Sequence, residues 1–148
     1  MAIPPLNPDG LLPKGIHACT VEELRGRFGS FQSSDRRPRL MKSLEAFLEE
    51  VRASRIVGAV IINGSFVTSQ AAPNDIDMLL VLRAGHNFAE DLTAAQYRVV
   101  DCRRVRRTYG LDAFVVEEDS EDYEALVRLF CRVRLQPGLT KGIVRIEL

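Results

Sequence analysis

Two apolar runs frame this chain. Ile56 to Ile62 and Met78 to Leu82 each read as a buried strand. Between them lies Gly64-Ser65-Phe66-Val67-Thr68-Ser69-Gln70-Ala71-Ala72-Pro73-Asn74-Asp75-Ile76-Asp77. A Gly-Ser turn therefore closes one strand, and two aspartates one residue apart open the next. Such an order can hold a triphosphate at one end and divalent metal at the other.

The rest of the chain supplies a scaffold of modest size. Its 148 residues fit one domain, 1–148, large enough to bury about two-thirds of the unfolded surface. The first thirteen residues hold four prolines and open an extended N-terminal arm over 1–19. Thr20-Val-Glu-Glu23 is a capping box for a helix over 21–28, ended by Gly29, with a loop over 30–35. Leu40, Leu44, Phe47, Leu48 and Val51 recur at helical spacing and predict a helix over 36–54. The Gly-Ser turn leads into a short helix over 66–71, stopped before Pro73. After a loop over 84–92, one helix is expected over 93–108, with Ala95, Val99, Cys102 and Val105 inward, ended by Gly110. A strand from Leu111 to Val116 follows, then a Ser120-capped helix over 121–133 with Leu126, Leu129, Phe130 and Val133 inward. Pro137-Gly138 makes a turn before a last strand, Gly142 to Leu148. Phe114, Val116, Val60 and Ile62 are expected in the core. This order predicts an α/β or α+β domain with helices packed on a small mixed sheet.

Side chains alternate across a strand, so Asp75 and Asp77 share a face. Two close carboxylates repel unless a cation sits between them. Mg²⁺ takes oxygen ligands and keeps waters and phosphates as the rest of its shell. A two-metal phosphoryl-transfer site calls for about three carboxylates. Asp112 is the candidate third ligand, since it stands between Leu111 and Ala113, where a lone charge would be costly. Glu118 shares its parity at the far end of the strand, and Glu117 faces the other way. Gly64 permits a tight turn and close approach of a ligand. Amides at the following helix start favour an anion, and the Ser65 hydroxyl can bind a terminal phosphate oxygen. The plainer readings are a Ser65 N-cap and a solvated strand start.

The combination resembles the nucleotidyltransferase fold of the DNA polymerase beta superfamily. Its carriers are Gly64-Ser65, a nine-residue gap, Asp75-Ile76-Asp77 and the apolar-flanked Asp112, spanning 56–116. It is most similar to minimal bacterial members, often found in toxin–antitoxin or defence pairs. Leu12-Pro13-Lys14-Gly15-Ile16-His17, Gly64 to Thr68, Pro73 to Asp77, and Lys141-Gly142-Ile143-Val144 look like a group of small uncharacterised bacterial proteins of that superfamily; this narrower likeness covers nearly the whole chain. The resemblance implies two Mg²⁺ ions, with Mn²⁺ as an alternative, held by Asp75, Asp77 and Asp112. It implies a nucleoside triphosphate whose β and γ phosphates rest on Gly64 and Ser65. A nucleoside monophosphate would pass to a hydroxyl of a protein, an RNA or a small molecule, releasing pyrophosphate. A protein partner encoded nearby is a further expectation. One departure stands out: many minimal members carry an arginine just after the Gly-Ser pair, and Phe66 to Gln70 holds no basic residue.

Other features read more plainly. The formal net charge is zero, so nothing in the overall balance favours nucleic acid or membrane. Of 20 basic residues, 17 are arginines, for which genomic composition is a simpler account than phosphate recognition. Arg98, Arg103, Arg104, Arg106 and Arg107 are expected to form a solvated outer face, with a nucleic-acid or triphosphate patch as the sharper alternative. Arg36, Arg37 and Arg39 are read as helix-start surface, and His17 as structural. Lys141-Gly142 could reach a phosphate, although a turn is the simpler reading. Cys19, Cys102 and Cys131 have no metal or redox spacing and are expected as reduced cytoplasmic thiols. No secretory leader and no bilayer-spanning segment is expected. The alternative to an enzyme is a non-catalytic regulatory or antitoxin module of the same fold that binds a protein partner.

Overall fold

A computed structural model describes residues 3–29, 35–70, 73–84, 91–133 and 138–148. The expected loops over 30–35 and 84–92, and the turn at Pro137, fall largely outside these residues. The elements are β1 (Gly15–Ala18), α1 (Val21–Leu24), α2 (Arg36–Ser54), β2 (Val57–Asn63), β3 (Asp77–Leu82), α3 (Ala94–Val100), α4 (Cys102–Tyr109), β4 (Asp112–Glu117), α5 (Glu121–Phe130) and β5 (Gly142–Glu147). The fold is α+β. One five-stranded mixed sheet runs in the order β1-β5-β2-β3-β4. β1 and β5 are parallel, as are β3 and β4, while β2 is antiparallel to both β5 and β3.

β2 and β3 are buried on both faces, which is why they read as unbroken apolar runs. On one face Leu44, Phe47, Leu48 and Val51 of α2, with Val99 and Val105, pack against Val60, Ile62, Met78 and Leu80. On the other, Tyr123 and Phe130 of α5 pack against Ala59, Ile61, Leu79, Val116 and Ile143. Each fully buried side chain of this kind contributes about 1.5–3 kcal/mol. The helix caps form as expected: Thr20 with Glu23 is a capping box, Ser120 accepts from the Tyr123 amide, and Gly110 ends α4 in the left-handed region.

Several expectations are corrected. The N-terminal segment is no free arm. Ile3 and Leu12 are buried, and Gly15–Ala18 pairs with Gly142–Arg145 as an edge strand. Arg27 fastens this segment by donating to the carbonyls of Ile3 (2.7 Å) and Pro4 (3.1 Å). The helix at 21–28 gives way after Leu24 to a π-helical turn over Arg25–Gly29. The single helix at 93–108 is two. Asp101 is extended, ends α3, and caps α4 by accepting from the Arg104 amide at 3.2 Å. With that break, Ala95 and Cys102 turn outward while Val99 and Val105 stay buried. Phe114 and Leu129 are not core: they are 46% and 54% exposed. β4 is an edge strand, and although the Phe114 ring meets Phe130 of α5 edge-on at 6.2 Å, much of it stays open to solvent. The short helix at 66–71 is a single 3-10 turn, Ser65–Val67, for a reason that lies in Arg37.

Arg37 is wholly buried rather than surface. Its guanidinium donates to the carbonyls of Phe28 (3.1 Å), Ser65 (3.4 Å), Phe66 (2.6 Å), Thr68 (2.8 Å) and Gln70 (2.6 Å). These carbonyls converge on one cation instead of lining up along a helix axis, and the Ser69 amide, four residues past Ser65, donates to the Gly10 carbonyl at 2.9 Å, so the segment does not continue as a helix. The same guanidinium lies over the rings of Phe28 and Phe66, at 5.8 and 5.3 Å from their centroids.

Candidate metal and phosphate site

The sheet register brings the sequence-derived residues together. Asn63 pairs with Asp77 across β2 and β3, and Asp77 pairs with Asp112 across β3 and β4. Neighbours in a register share a face, so these three side chains form a row on the α5 side of the sheet. Asp75 lies two residues before Asp77 and joins them. One carboxylate oxygen each of Asp75, Asp77 and Asp112 lies within 4.8 Å of the other two, all partly exposed. The choice of Asp112 over the two glutamates is the one that the register favours.

Gly64 seals the turn against this group. Its φ of 90° and ψ of −173° suit only glycine, and a Cβ placed there would stand 3.1 Å from Oδ2 of Asp77. The Ser65 hydroxyl has no protein partner among the described residues and is available. Amides of Val67 and Thr68 are engaged inside the turn, with the carbonyls of Gly64 and Ser65. An anion here therefore meets a tight turn and a hydroxyl rather than the expected helix start.

The three acids burden one another. Asp77 is pushed up to about 6, first because it is half-buried and then because Asp75 and Asp112 repel its charge. Oδ1 of Asn63, beside Asp77, is buried and accepts no hydrogen bond among the described residues. A donor carried by a ligand or its water would satisfy it. Three partly exposed carboxylates with one unsatisfied acceptor suit Mg²⁺, which binds few carboxylates and keeps several waters. The residues thus fit the metal that the sequence implied.

Two arginines of α4 are turned to acids and not to solvent alone. Nη1 of Arg106 lies 3.0 Å from Asp112 and 3.4 Å from Asp75. Arg104 pairs with Glu50 at 2.7 and 2.9 Å, and its hydrogen bond lowers the Glu50 carboxyl below the ordinary range. The expected solvated face therefore holds for Arg98, Arg103, Arg106 and Arg107, although Arg106 also reaches the acids, and fails for Arg104, which is drawn inward. The Asp101 break aims Arg106 at the site.

The match to known proteins spans almost the whole sequence. Residues 4–147 match a family described as "Family of unknown function (DUF6932)". The chain belongs to that family. No curated protein and no solved structure matches it. Membership in DUF6932 thus carries no assigned chemistry, and the site must speak through its geometry. Asn63, Arg106 and Arg37 were not foreseen as part of it or its support. Nothing in the spacing of Arg106 distinguishes it from its neighbours. Asn63, the polar end of an apolar strand, was the one local signal. Among the described residues no helix is long and apolar enough to cross a membrane.

Proposed function

We propose that this protein is a metal-dependent nucleotidyltransferase, moving a nucleoside monophosphate from a triphosphate to a hydroxyl of a protein, RNA or small molecule. The observation that carries the reading is the convergence of Asp75, Asp77 and Asp112 against the Gly64 turn. These three carboxylates would hold Mg²⁺. When bound, the metal neutralises triphosphate charge and favours the ionised acceptor oxygen. Gly64 lets phosphate oxygens approach the backbone, and the Ser65 hydroxyl donates to one of them. Asp112 orients the acceptor hydroxyl and takes its proton. The acceptor oxygen bonds to the α phosphorus as the bond to the bridging oxygen breaks, and pyrophosphate leaves with that electron pair. Arg37 keeps the turn in shape by holding its carbonyls from behind. Catalysis of this kind is positioning and electrostatics, which a rigid turn and fixed carboxylates supply.

A second reading has one observation in its favour. Arg106 already bridges Asp75 and Asp112, so an internal cation partly answers the acids. A regulatory or antitoxin module that binds a protein partner, with the fold kept and turnover lost, would be content with that arrangement. Melting curves separate the two. Mg²⁺ with ATP, GTP, CTP or UTP should stabilise the parent and not Asp75→Ala/Asp77→Ala. Triphosphate that leaves the parent's melting temperature unmoved at every Mg²⁺ concentration would discard the enzyme reading.

A further inference from the structure

Phosphate charge at this site needs a protein cation, and Phe66 to Gln70 offers none. The guanidinium of Arg37 is turned to the inner side of that segment and bonded to its carbonyls. Arg106 lies on the carboxylates, at the metal end. One further basic residue, Lys141, immediately precedes β5, the strand paired with β2 on the side away from β3.

β5 runs antiparallel to β2, with Val144 opposite Ile62. β5 therefore starts beside the end of β2 that leads into the Gly64-Ser65 turn, and Lys141 immediately precedes it. Ile143 packs with Ile61 and Leu79 on the α5 side, so Lys141, two residues earlier, is directed to the face that bears Asp77. Its backbone is fixed there: the Lys141 amide donates to the Cys131 carbonyl at 2.8 Å, and Gly142 donates to Leu12 at 2.9 Å. The side chain is half-buried, and burial lowers its pKa while Asp77 raises it. Yet its ammonium makes no hydrogen bond and no ion pair among the described residues. An ammonium carries three donors, and a half-buried one without partners is costly. The ammonium is near enough to Asp77 for each charge to favour the other, yet it bonds to no carboxylate among the described residues and keeps its donors for a further group.

We propose that Lys141 is a phosphate-binding residue of this site, holding the β or γ phosphate beside Ser65 in place of the basic residue missing from Phe66–Gln70. The inference rests on the nucleotidyl-transfer reading. Across the sheet the order is then Lys141, the Gly64-Ser65 turn, and the carboxylates. A triphosphate laid along it meets the metal site at its α phosphate and the ammonium at its far end.

Calorimetric titration tests this with Mg²⁺ and inorganic tripolyphosphate, with Mg²⁺ and ATP, with Mg²⁺ and AMP, and with Mg²⁺ alone. Lys141→Met should bind tripolyphosphate and ATP about 10- to 100-fold more weakly, the worth of one charge-assisted contact. Binding of AMP and of Mg²⁺ alone should change little. The melting temperature without ligand should stay level or rise, since a half-buried charge is gone. Lys141→Arg should restore most of the affinity. Should the methionine variant fold poorly, Lys141→Gln gives the same contrast. A variant without the charge that binds tripolyphosphate as tightly as the parent overturns the role of Lys141 and leaves the enzyme reading intact. A folded arginine variant that restores nothing also overturns it. A parent that binds neither tripolyphosphate nor ATP overturns both.

Discussion

Replacing Arg37 with methionine is the sharpest test of how this site is held together. The parent guanidinium is fully buried and, among the described residues, donates six hydrogen bonds to five carbonyls, four of them in Ser65–Gln70. Methionine fills much of the space and removes every donor. The Phe28 and Phe66 carbonyls then remain buried without that partner, at about 1–3 kcal/mol each. The Ser65, Thr68 and Gln70 carbonyls are only partly buried and can recruit water, so they add less. The sum is about 3–5 kcal/mol, which for a chain of this size lowers the melting temperature by roughly 10–15 °C. Arg37→Lys should recover less than half of the loss, because a compact ammonium cannot span carbonyls that a planar fork reaches on two sides. Thermal melts followed by circular dichroism measure the shift. Amide exchange read by mass spectrometry should localise it, with faster exchange in the Gly64–Ser69 turn than in β2 and β3. A methionine variant that melts within about 3 °C of the parent would refute the clamp, since that shift corresponds to only about 1 kcal/mol.

Two further outcomes are expected. In chelator, Asp77 at about 6 in the folded protein holds a proton that the unfolded chain, near 3.8, has released. Stability should therefore fall as pH rises from about 4 to about 6 and then level off. Asp77→Asn should flatten that slope and, at pH 7.5 without metal, be more stable than the parent by roughly 1–2 kcal/mol, a value discounted for solvent screening. The gain should shrink near pH 4.5, and urea titrations at the two pH values would expose the error if the asparagine variant were the weaker one at pH 7.5. Arg106→Ala should change metal-free stability by under about 1 kcal/mol, as its ion pairs are exposed, and should tighten Mg²⁺ binding by removing a competing cation. Weaker Mg²⁺ binding in that variant, read by calorimetry, would contradict the competition.

Much of the architecture was legible because local and global signals agreed. Apolar runs gave β2 and β3, heptad-like spacing gave α2 to the residue, and Thr20, Ser120 and Gly110 marked helix ends by their own side chains or lack of one. β1 was missed because four residues on a sheet edge, with Ile16 and Ala18 exposed, carry no periodic pattern. The break at Asp101 was missed because an aspartate fits both a polar helix face and a cap, and only packing chooses. Arg37 was misread because arginine at a helix start is ordinarily surface. Its burial depends on a ring of carbonyls contributed by the Phe28 turn and the Gly64–Gln70 segment, distant in sequence. Phe114 was placed inside because strand alternation tells which face a side chain takes, not whether a helix covers that face.

The sequence by itself determined the turn and its acids. A Gly-Ser pair that closes an apolar run makes a tight turn, and Asp75 and Asp77 share a face because strand side chains alternate. Those are consequences of bonded geometry within a few residues, so a linear reading reaches them. The tertiary structure alone decided that the carboxylate of Asp112, the candidate third ligand, meets those of Asp75 and Asp77, that Arg106 leans across them, that Arg37 holds the carbonyls of the turn, and that Lys141 comes near Asp77. These relations rest on the pairing of β2 with β5, the parallel pairing of β3 with β4, and the kink between α3 and α4. Long-range pairing and packing set which distant charges meet, and no spacing along one chain encodes that distance.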